Sequence, residues 1–335
     1  MTKVNAYAAM EAGTTLAPYE YEAAPLQPNQ VEIDVIACGI CHSDLSVMQN
    51  HWRNAQYPLV PGHEAVGKIT AIGEGVTNLK EGQTVGVGWT AESCLYCMPC
   101  MSGDHQRCQK GKPTIVGRHG GFADKMIVDA IWAIALPDKM DPKSAGPLFC
   151  GGITVFSPFI DFDIKPTDRV AVVGIGGLGH LALQFAKAWG CEVTAFTSSM
   201  DKADELKELG AHKIVNSRDE DAIKALRGQF DMVLSTVNVS LAWGRYIAAL
   251  APKGRLVTVG IVGEPMGVSA GAIIAGQKSV SGSDTGGPAV VAKMLEFCAR
   301  HAIKPMVDYF PMSDVNDAIQ HLKDGKARYR VVLTR

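Results

Sequence analysis

No stretch of the chain reaches the roughly 18 uncharged apolar residues that a membrane-crossing helix needs. Its opening residues also lack the apolar segment of a secretory signal. Blocks of like charge and basic stripes are missing, and the formal net charge is only −2. Such a balance gives little attraction to nucleic acid or to an anionic membrane surface. Internal repeats and low-complexity segments are absent too. A cytoplasmic protein with neither a nucleic-acid nor a membrane partner, working on small molecules, is therefore expected.

The chain's 335 residues suit about two domains, each large enough for its own core. Its nine cysteines are unevenly spread, with Cys94, Cys97, Cys100 and Cys108 in one loop. In a reducing compartment that bunching suits metal binding better than disulfides. Near the middle, 169–190 reads RVAVVGIGGLGHLALQFAKAWG. An apolar run there meets a glycine turn and then Leu181, Phe185 and Trp189 at helical spacing, which predicts strand, turn and helix. Gly174, Gly176 and Gly179, with Gly177 and Leu178 between the last two, fit the dinucleotide fingerprint. The first glycine permits a tight turn, the second lets backbone approach a pyrophosphate, and the third lets the helix pack on the strand. Helix-start amides would then face the phosphates.

Upstream of this turn, 31–37 alternates Val31, Ile33 and Val35 with Glu32 and Asp34, the pattern of a half-buried strand. A glycine-punctuated region with short β-type runs such as 66–72 follows, so the chain up to about Cys150 reads as β and turn. Beyond it, strand candidates at Val170, Glu192, Lys213, Asp231, Arg255 and Ser279 alternate with helical stretches such as 201–209 and 240–251. This α/β texture implies βαβ units and a parallel sheet of six strands, doubly wound in the Rossmann manner. A helix over 289–300 and a strand over 330–333 are too short for a domain and are expected to rejoin the first one.

In a nicotinamide site that prefers NAD, a carboxylate at the end of the second strand binds the ribose 2′-hydroxyl. Here that strand ends in Thr197-Ser198-Ser199, with Lys202 just beyond. Hydroxyls and a lysine can bind a 2′-phosphate, so NADP(H) is expected over NAD(H). Asp201 is the nearby carboxylate, past the turn.

Cys94, Cys97, Cys100 and Cys108 have the spacing C-x2-C-x2-C-x7-C. Such a run can close an all-thiolate zinc site of structural type, and the same thiolates could hold an iron–sulfur cluster. Cys41 in GICHSD, His63-Glu64 after Pro61-Gly62, and Cys150 in FCGG are dispersed, and spacing alone does not join them.

Taken in order, GICHSD, VPGHEAVG, the four-cysteine loop, LFCGGIT and VGIGGLGH resemble the zinc-dependent medium-chain alcohol dehydrogenases. The similarity is narrower still to the cinnamyl-alcohol-dehydrogenase-like branch and its bacterial broad-specificity NADPH-dependent aldehyde reductases. It runs nearly end to end, including the closing GKARYRVVL. The resemblance implies a GroES-like catalytic β-domain over 1–151, carrying the structural zinc loop 94–108 and completed by 285–335. It implies a Rossmann NADP-binding domain over 152–284, an active cleft between the two, and a homodimer paired through the strand candidate at 279–283.

By the same resemblance Cys41, His63 and Cys150 are catalytic zinc ligands, and Glu64 is a transient one. The zinc complement is thus two per chain. Arg330 matches the arginine that pairs with Glu64, and Asp44 the carboxylate that orients His63. Ser43, next to His42, matches the hydroxyl that takes the alcohol proton, while turn residues capping a helix are the plainer reading of Ser43 and Asp44. Thr154 resembles a threonine that contacts the nicotinamide. The implied activity is reversible hydride transfer between NADP(H) and a small aldehyde or primary alcohol. Ser46 stands where family members often carry the histidine through which the proton leaves, so the proton exits either through ribose hydroxyls and water or through a neighbour such as His51. The segment 109–119 is shorter than in plant cinnamyl enzymes and lacks their pocket tryptophan. Trp52 and Trp89 then serve either as pocket wall or as core of the β-domain. Cys38, Cys191 and Cys298 read as packing residues. A zinc-free quinone or enone reductase on the same fold, and a non-catalytic NADP-binding redox sensor, are the rival readings.

Overall fold

The computed structural model describes residues 2–335 and separates into two compact units. One runs up to Ile153 and includes Thr285–Arg335, and the other is Thr154–Asp284. In the first, β1 (Lys3–Ala8) lies antiparallel to β2 (Ala17–Glu22). The long β3 (Gln30–Ile40) buries Val31, Ile33, Val35 and Ala37 and turns Glu32 and Asp34 outward. Its last residues, Cys38 to Ile40, are buried on both faces and run into α1 (His42–Met48). Next come β4 (Ala65–Ile72), β5 (Thr84–Val87) and β6 (Thr90–Glu92), then the short α2 (Met98–Met101) and β7 (Lys112–Pro113). β8 (Lys125–Asp129) pairs with the first half of β3, and β9 (Ile134–Ala135) with β5.

A glycine pair in this unit sets the position of a later residue. A Cβ on Gly86 would stand 2.0 Å from the Phe149 ring, and one on Gly88 would stand 2.4 Å from the Phe149 carbonyl. Phe149 therefore lies directly on β5 and on the segment after it. The 3-10 turn Gly146–Phe149 ends there and presents Cys150.

α3 (Gly151–Asp161) leads into the second unit, where β10 (Arg169–Val173), α4 (Gly179–Trp189) and β11 (Glu192–Thr197) form the first βαβ crossover. α5 (Ala203–Glu208), β12 (Lys213–Asn216), α6 (Glu220–Lys224), β13 (Phe230–Ser235), α7 (Trp243–Ala249), β14 (Leu250–Thr258), α8 (Ala270–Ile274) and β15 (Ser279–Gly282) follow. The six strands are parallel in the order β12-β11-β10-β13-β14-β15. The strand order reverses between β10 and β13, where ligands of such sheets bind. Leu181 and Phe185 on α4 are fully buried, and Trp189 packs its ring on Phe156 and Phe159 of α3. Gly190 ends α4 with φ at 106°, a left-handed stop that glycine adopts without a Cβ penalty.

The helix expected over 240–251 is shorter, and β14 starts at Leu250 rather than near Arg255. Leu250 pairs with Phe230, after which the register shifts before Met232 meets Arg255. Leu250 and Ala251 are apolar enough to suit either element, and the partner strand decides between them.

The closing segment carries α9 (Pro288–His301), β16 (Val307–Pro311), α10 (Val315–Lys323) and β17 (Arg330–Thr334). β17 runs antiparallel to the end of β3, from Val331 opposite Ile40 to Thr334 opposite Ala37, with β16 outside it. β16 and α10 have no counterpart in the sequence reading. β16 is a partly exposed edge strand without clean alternation, and α10 is a short helix. Among the described residues no helix is long and apolar enough to cross a membrane.

Asp231 ties the starts of β10 and β13 together. Its carboxylate accepts the Arg169 backbone N–H at 2.9 Å and two guanidinium N–H groups at 3.0 Å. Burial raises its pKa, but the bonds from Arg169 outweigh burial and hold the carboxyl below its usual range. A depressed folded-state pKa adds stability that is present above the unfolded pKa and is lost as pH falls through the folded one. Asp231→Asn should cost about 1 kcal/mol at neutral pH, since the pair is only partly exposed. Urea unfolding at pH 7 and below pH 4 checks this, with the gap from the parent protein closing in acid.

Candidate metal centres and nucleotide turn

α1 begins at a residue that must do two things. Cys41 is its N-cap, and the Asp44 side chain reaches back to accept the Cys41 N–H at 2.9 Å. The other Asp44 oxygen accepts the Gly62 N–H at 2.9 Å and meets His63 Nδ1 at 2.8 Å. Asp44 thus caps the helix and orients the histidine at once, so the two readings of it hold together. The pair is fully buried. Because the carboxylate only accepts, the His63 proton sits on Nδ1 and Nε2 carries the lone pair. Burial disfavours the imidazolium, but Asp44 and Cys41 outweigh it and raise the ring's proton affinity well above the usual range, so a cation at Nε2 competes with a proton for that lone pair.

Nε2 of His63 is buried with no hydrogen-bond partner. One ligand atom from each of Cys41, His63, Glu64 and Cys150 lies within 4.8 Å of the others. An orphaned lone pair beside two thiols and a carboxylate is what a tetrahedral cation would satisfy. The Cys41 and Cys150 sulfurs are 3.9 Å apart, and the hydrogen bond from Cys150 holds the Cys41 thiol well below its usual pKa. Burial pushes the Glu64 carboxyl up to about 7, against the downward pull of Arg330. Arg330 donates to Glu64 and, at 3.3 Å, to the Ile40 carbonyl from a fully buried position at the head of β17. A Cβ on Gly39 would stand 2.0 Å from Glu64 Oε2, so glycine is required in β3 for Glu64 to lie there.

Of the other expected residues, three lie on α1. Ser43 is half-buried one residue into α1, and His42 is exposed at the helix start. Ser46 is half-buried on α1, and its carbonyl accepts the His51 N–H at 2.9 Å. Trp89 sets its ring against His63 at 5.1 Å and 85°, and Trp52 packs on Trp89 at 5.7 Å. Both tryptophans also rest on the core of the β-unit. Cys38, Cys191 and Cys298 are buried.

The second group, Cys94, Cys97, Cys100 and Cys108, also gathers its sulfurs within 4.8 Å. α2 and the turn after it create the convergence, with Pro99 in the first turn and a left-handed Leu95 at φ 65°. Backbone N–H groups of Tyr96 and Cys97 pull the Cys94 thiol down to about 6, the state a metal ligand needs.

In the second unit Gly174 has φ at 87°, and a Cβ on Gly179 would meet the Gly174 carbonyl at 2.0 Å. Nothing lies within 4 Å of a Cβ placed on Gly176, which leaves open space over the turn. Gly177 and Leu178 complete the turn, and at the start of α4 the His180 N–H is taken by the Gly176 carbonyl and the Leu181 N–H by the Leu178 carbonyl, both at 3.1 Å. Thr236, which the sequence reading missed, donates its hydroxyl to the Gly174 carbonyl at 2.6 Å. Its signal lies in the sheet alone, since Val173 of β10 pairs with Ser235 of β13. At the end of β11, Thr197 is buried, Ser198 exposed and Ser199 half-buried. Lys202 is half-buried in the turn before α5, and Thr154 is half-buried on α3.

Asp44→Asn would turn a donor toward an N–H and should weaken zinc at the His63 site about 10–100-fold. Chelator competition measures this, and an unchanged affinity would contradict the orienting role. Cys97→Ser should halve the zinc content from two ions to one and lower the melting temperature by several degrees. Metal analysis and calorimetry on the same sample check that outcome.

Family models match residues 27–138, as an alcohol dehydrogenase GroES-like domain, and residues 177–300, as a zinc-binding dehydrogenase. An aldehyde reductase of Synechocystis is 52% identical over 331 residues, covering 99% of this chain and 98% of its own. A cinnamyl alcohol dehydrogenase of Sorghum bicolor superposes with a TM-score of 0.95 at 38% identity, covering 99% and 98% of the two chains. A Helicobacter pylori cinnamyl alcohol dehydrogenase, solved with NADP(H), gives 0.91 at 29% identity with the same coverage. With its two ligand groups as structural and catalytic zinc sites, the chain belongs to the zinc-dependent medium-chain alcohol dehydrogenases, in their cinnamyl-alcohol-dehydrogenase-like branch.

Proposed function

We propose that the chain interconverts small aldehydes and primary alcohols with NADP(H), acting mainly as a broad-specificity aldehyde reductase. One observation carries the reading: His63 Nε2 is buried and unpartnered within 4.8 Å of ligand atoms of Cys41, Cys150 and Glu64. The relative named an aldehyde reductase supports the substrate class, and the relative solved with NADP(H) supports the cofactor. Bound zinc supplies a Lewis acid that polarises a carbonyl, and bound NADP(H) supplies the hydride.

The protein's own residues do the rest. Cys41, His63 and Cys150 would hold the cation through three ligands, the number that catalytic zinc sites use so that a substrate oxygen can reach the metal. Glu64, fixed by Arg330, would supply a further carboxylate within reach of the same cation. Asp44 keeps His63 in the tautomer that can ligate. Ser43, beside His42, passes on the hydroxyl proton, which leaves through ribose hydroxyls and water or through His51, since Ser46 replaces the family's usual histidine. Trp89, packed on His63, and Trp52 behind it form the aromatic wall that an apolar aldehyde chain would meet.

On the nucleotide side, Gly174, Gly176, Gly177, Leu178 and Gly179 take the pyrophosphate and Thr154 the nicotinamide. Thr197, Ser198, Ser199 and Lys202 take the 2′-phosphate. β15 lies at the edge of its sheet, which supports a homodimer paired there. A cytoplasmic location agrees with nine cysteines that are all free.

His63→Ala should abolish aldehyde reduction while leaving the NADPH dissociation constant within about threefold. The parent should show kcat/KM at least about tenfold higher with NADPH than with NADH, the scale of a charge-assisted contact. Retained turnover in the variant would end the zinc mechanism, and parity of the two cofactors would end the NADP assignment.

A further inference from the structure

We infer that Arg218, on the strand neighbouring the one that ends in Thr197, is a further contact for the 2′-phosphate and helps set cofactor preference. The inference rests on the NADP(H) reading above. β11 and β12 are parallel, and their last registered pair is Thr197 opposite Asn216. The pairing continues past both strand ends, because Ser217 donates its N–H to the Thr197 carbonyl at 2.8 Å. Two residues beyond Thr197 comes Ser199, and two beyond Asn216 comes Arg218. The ladder therefore carries a hydroxyl residue and a guanidinium residue out of the same end of the sheet, on adjacent strands.

The backbone holds both of them in place. Ser199 donates its N–H to Thr197 Oγ1 at 3.1 Å, and Arg218 donates its N–H to Asn216 Oδ1 at 2.9 Å. The Asn216 carbonyl then accepts the Asp219 N–H at 3.1 Å, closing a tight turn. Arg218 is exposed and forms no ion pair among the described residues. The carboxylates that follow it are each engaged elsewhere. Asp219 accepts the Asp221 and Ala222 amides as the N-cap of α6, Glu220 pairs with Arg245 at 2.6 Å, and Asp221 pairs with Lys224 at 3.0 Å. A planar guanidinium without an ion pair, at the end of the strand next to the one that ends in Thr197 and Ser199, is suited to a phosphate dianion, and the ribose hydroxyl that NAD carries in its place gives it far less to bind. Lys202 would approach from the α5 side and Arg218 from the β12 side, so the phosphate would be held between two cations. The sequence fingerprint looks about 20 residues past the glycines and overlooks Arg218, because only the sheet brings the third strand alongside the second.

The test is calorimetric titration of the intact protein with adenosine 2′,5′-bisphosphate and with adenosine 5′-monophosphate. These probes differ in the 2′-phosphate and need no turnover. The parent should bind the bisphosphate more tightly, and Arg218→Ala should shrink the ratio of the two affinities about tenfold. Arg218→Lys should keep part of that ratio, and added salt should narrow it in the parent more than in Arg218→Ala. A ratio unchanged in Arg218→Ala, with the parent still preferring the bisphosphate, would overturn the role of Arg218 alone. A parent without any preference for the bisphosphate would overturn the NADP(H) reading and this inference together. Circular dichroism of each variant separates loss of fold from loss of contact.

Discussion

The Asp44 carboxylate is the constraint on which the catalytic centre depends. Three donors converge on it from three places: the Cys41 N–H at the start of α1, the Gly62 N–H in the turn before β4, and His63 Nδ1. A buried carboxylate is tolerable only when its lone pairs are satisfied, and here each donor is also part of the site it serves. Satisfying the charge therefore fixes one thiolate ligand, one imidazole ligand and the tautomer of the latter. The His63 ring has no freedom left, since Trp89 stands edge-on against it.

The outer frame of the centre is mechanical. Phe149 rests on Gly86 and Gly88, and Gly146 passes so close to the Glu64 carbonyl that a Cβ would stand 2.5 Å from it. Small residues let the turn that bears Cys150 lie flat on the sheet, and any larger side chain would lift it off. Arg330 comes from the far end of the chain, delivered because β17 pairs with the end of β3. A fully buried arginine and glutamate stabilise each other only as a pair, so the closing strand and the metal centre stand or fall together.

The nucleotide unit shows the same economy. One glycine turn is held from behind by Thr236, and the open space over Gly176 remains for a ligand. β10, β11 and β12 are neighbouring strands, and the glycine fingerprint describes the end of one of them.

Much of this was legible in the order of residues. The six strands of the parallel sheet could be read because buried strands are short apolar runs and the helices between them repeat at 3.6 residues. The four-cysteine loop was legible because its ligands are close in sequence, and closure needs only local backbone. The glycine turn was legible for the same reason. What tertiary structure alone decided is whatever depends on distant residues meeting. Cys41, His63 and Cys150 are scattered over more than a hundred positions, and only resemblance joined them before the sheet did. The start of β14 at Leu250 was set by its partner Phe230, because an apolar pair reads equally as helix or strand. β16 was invisible, since an edge strand that is half exposed carries no alternation to detect. Thr236 and Arg218 have no sequence signal either. Their places follow from strand register, and register is a property of neighbouring chains in a sheet, which no single stretch of sequence contains.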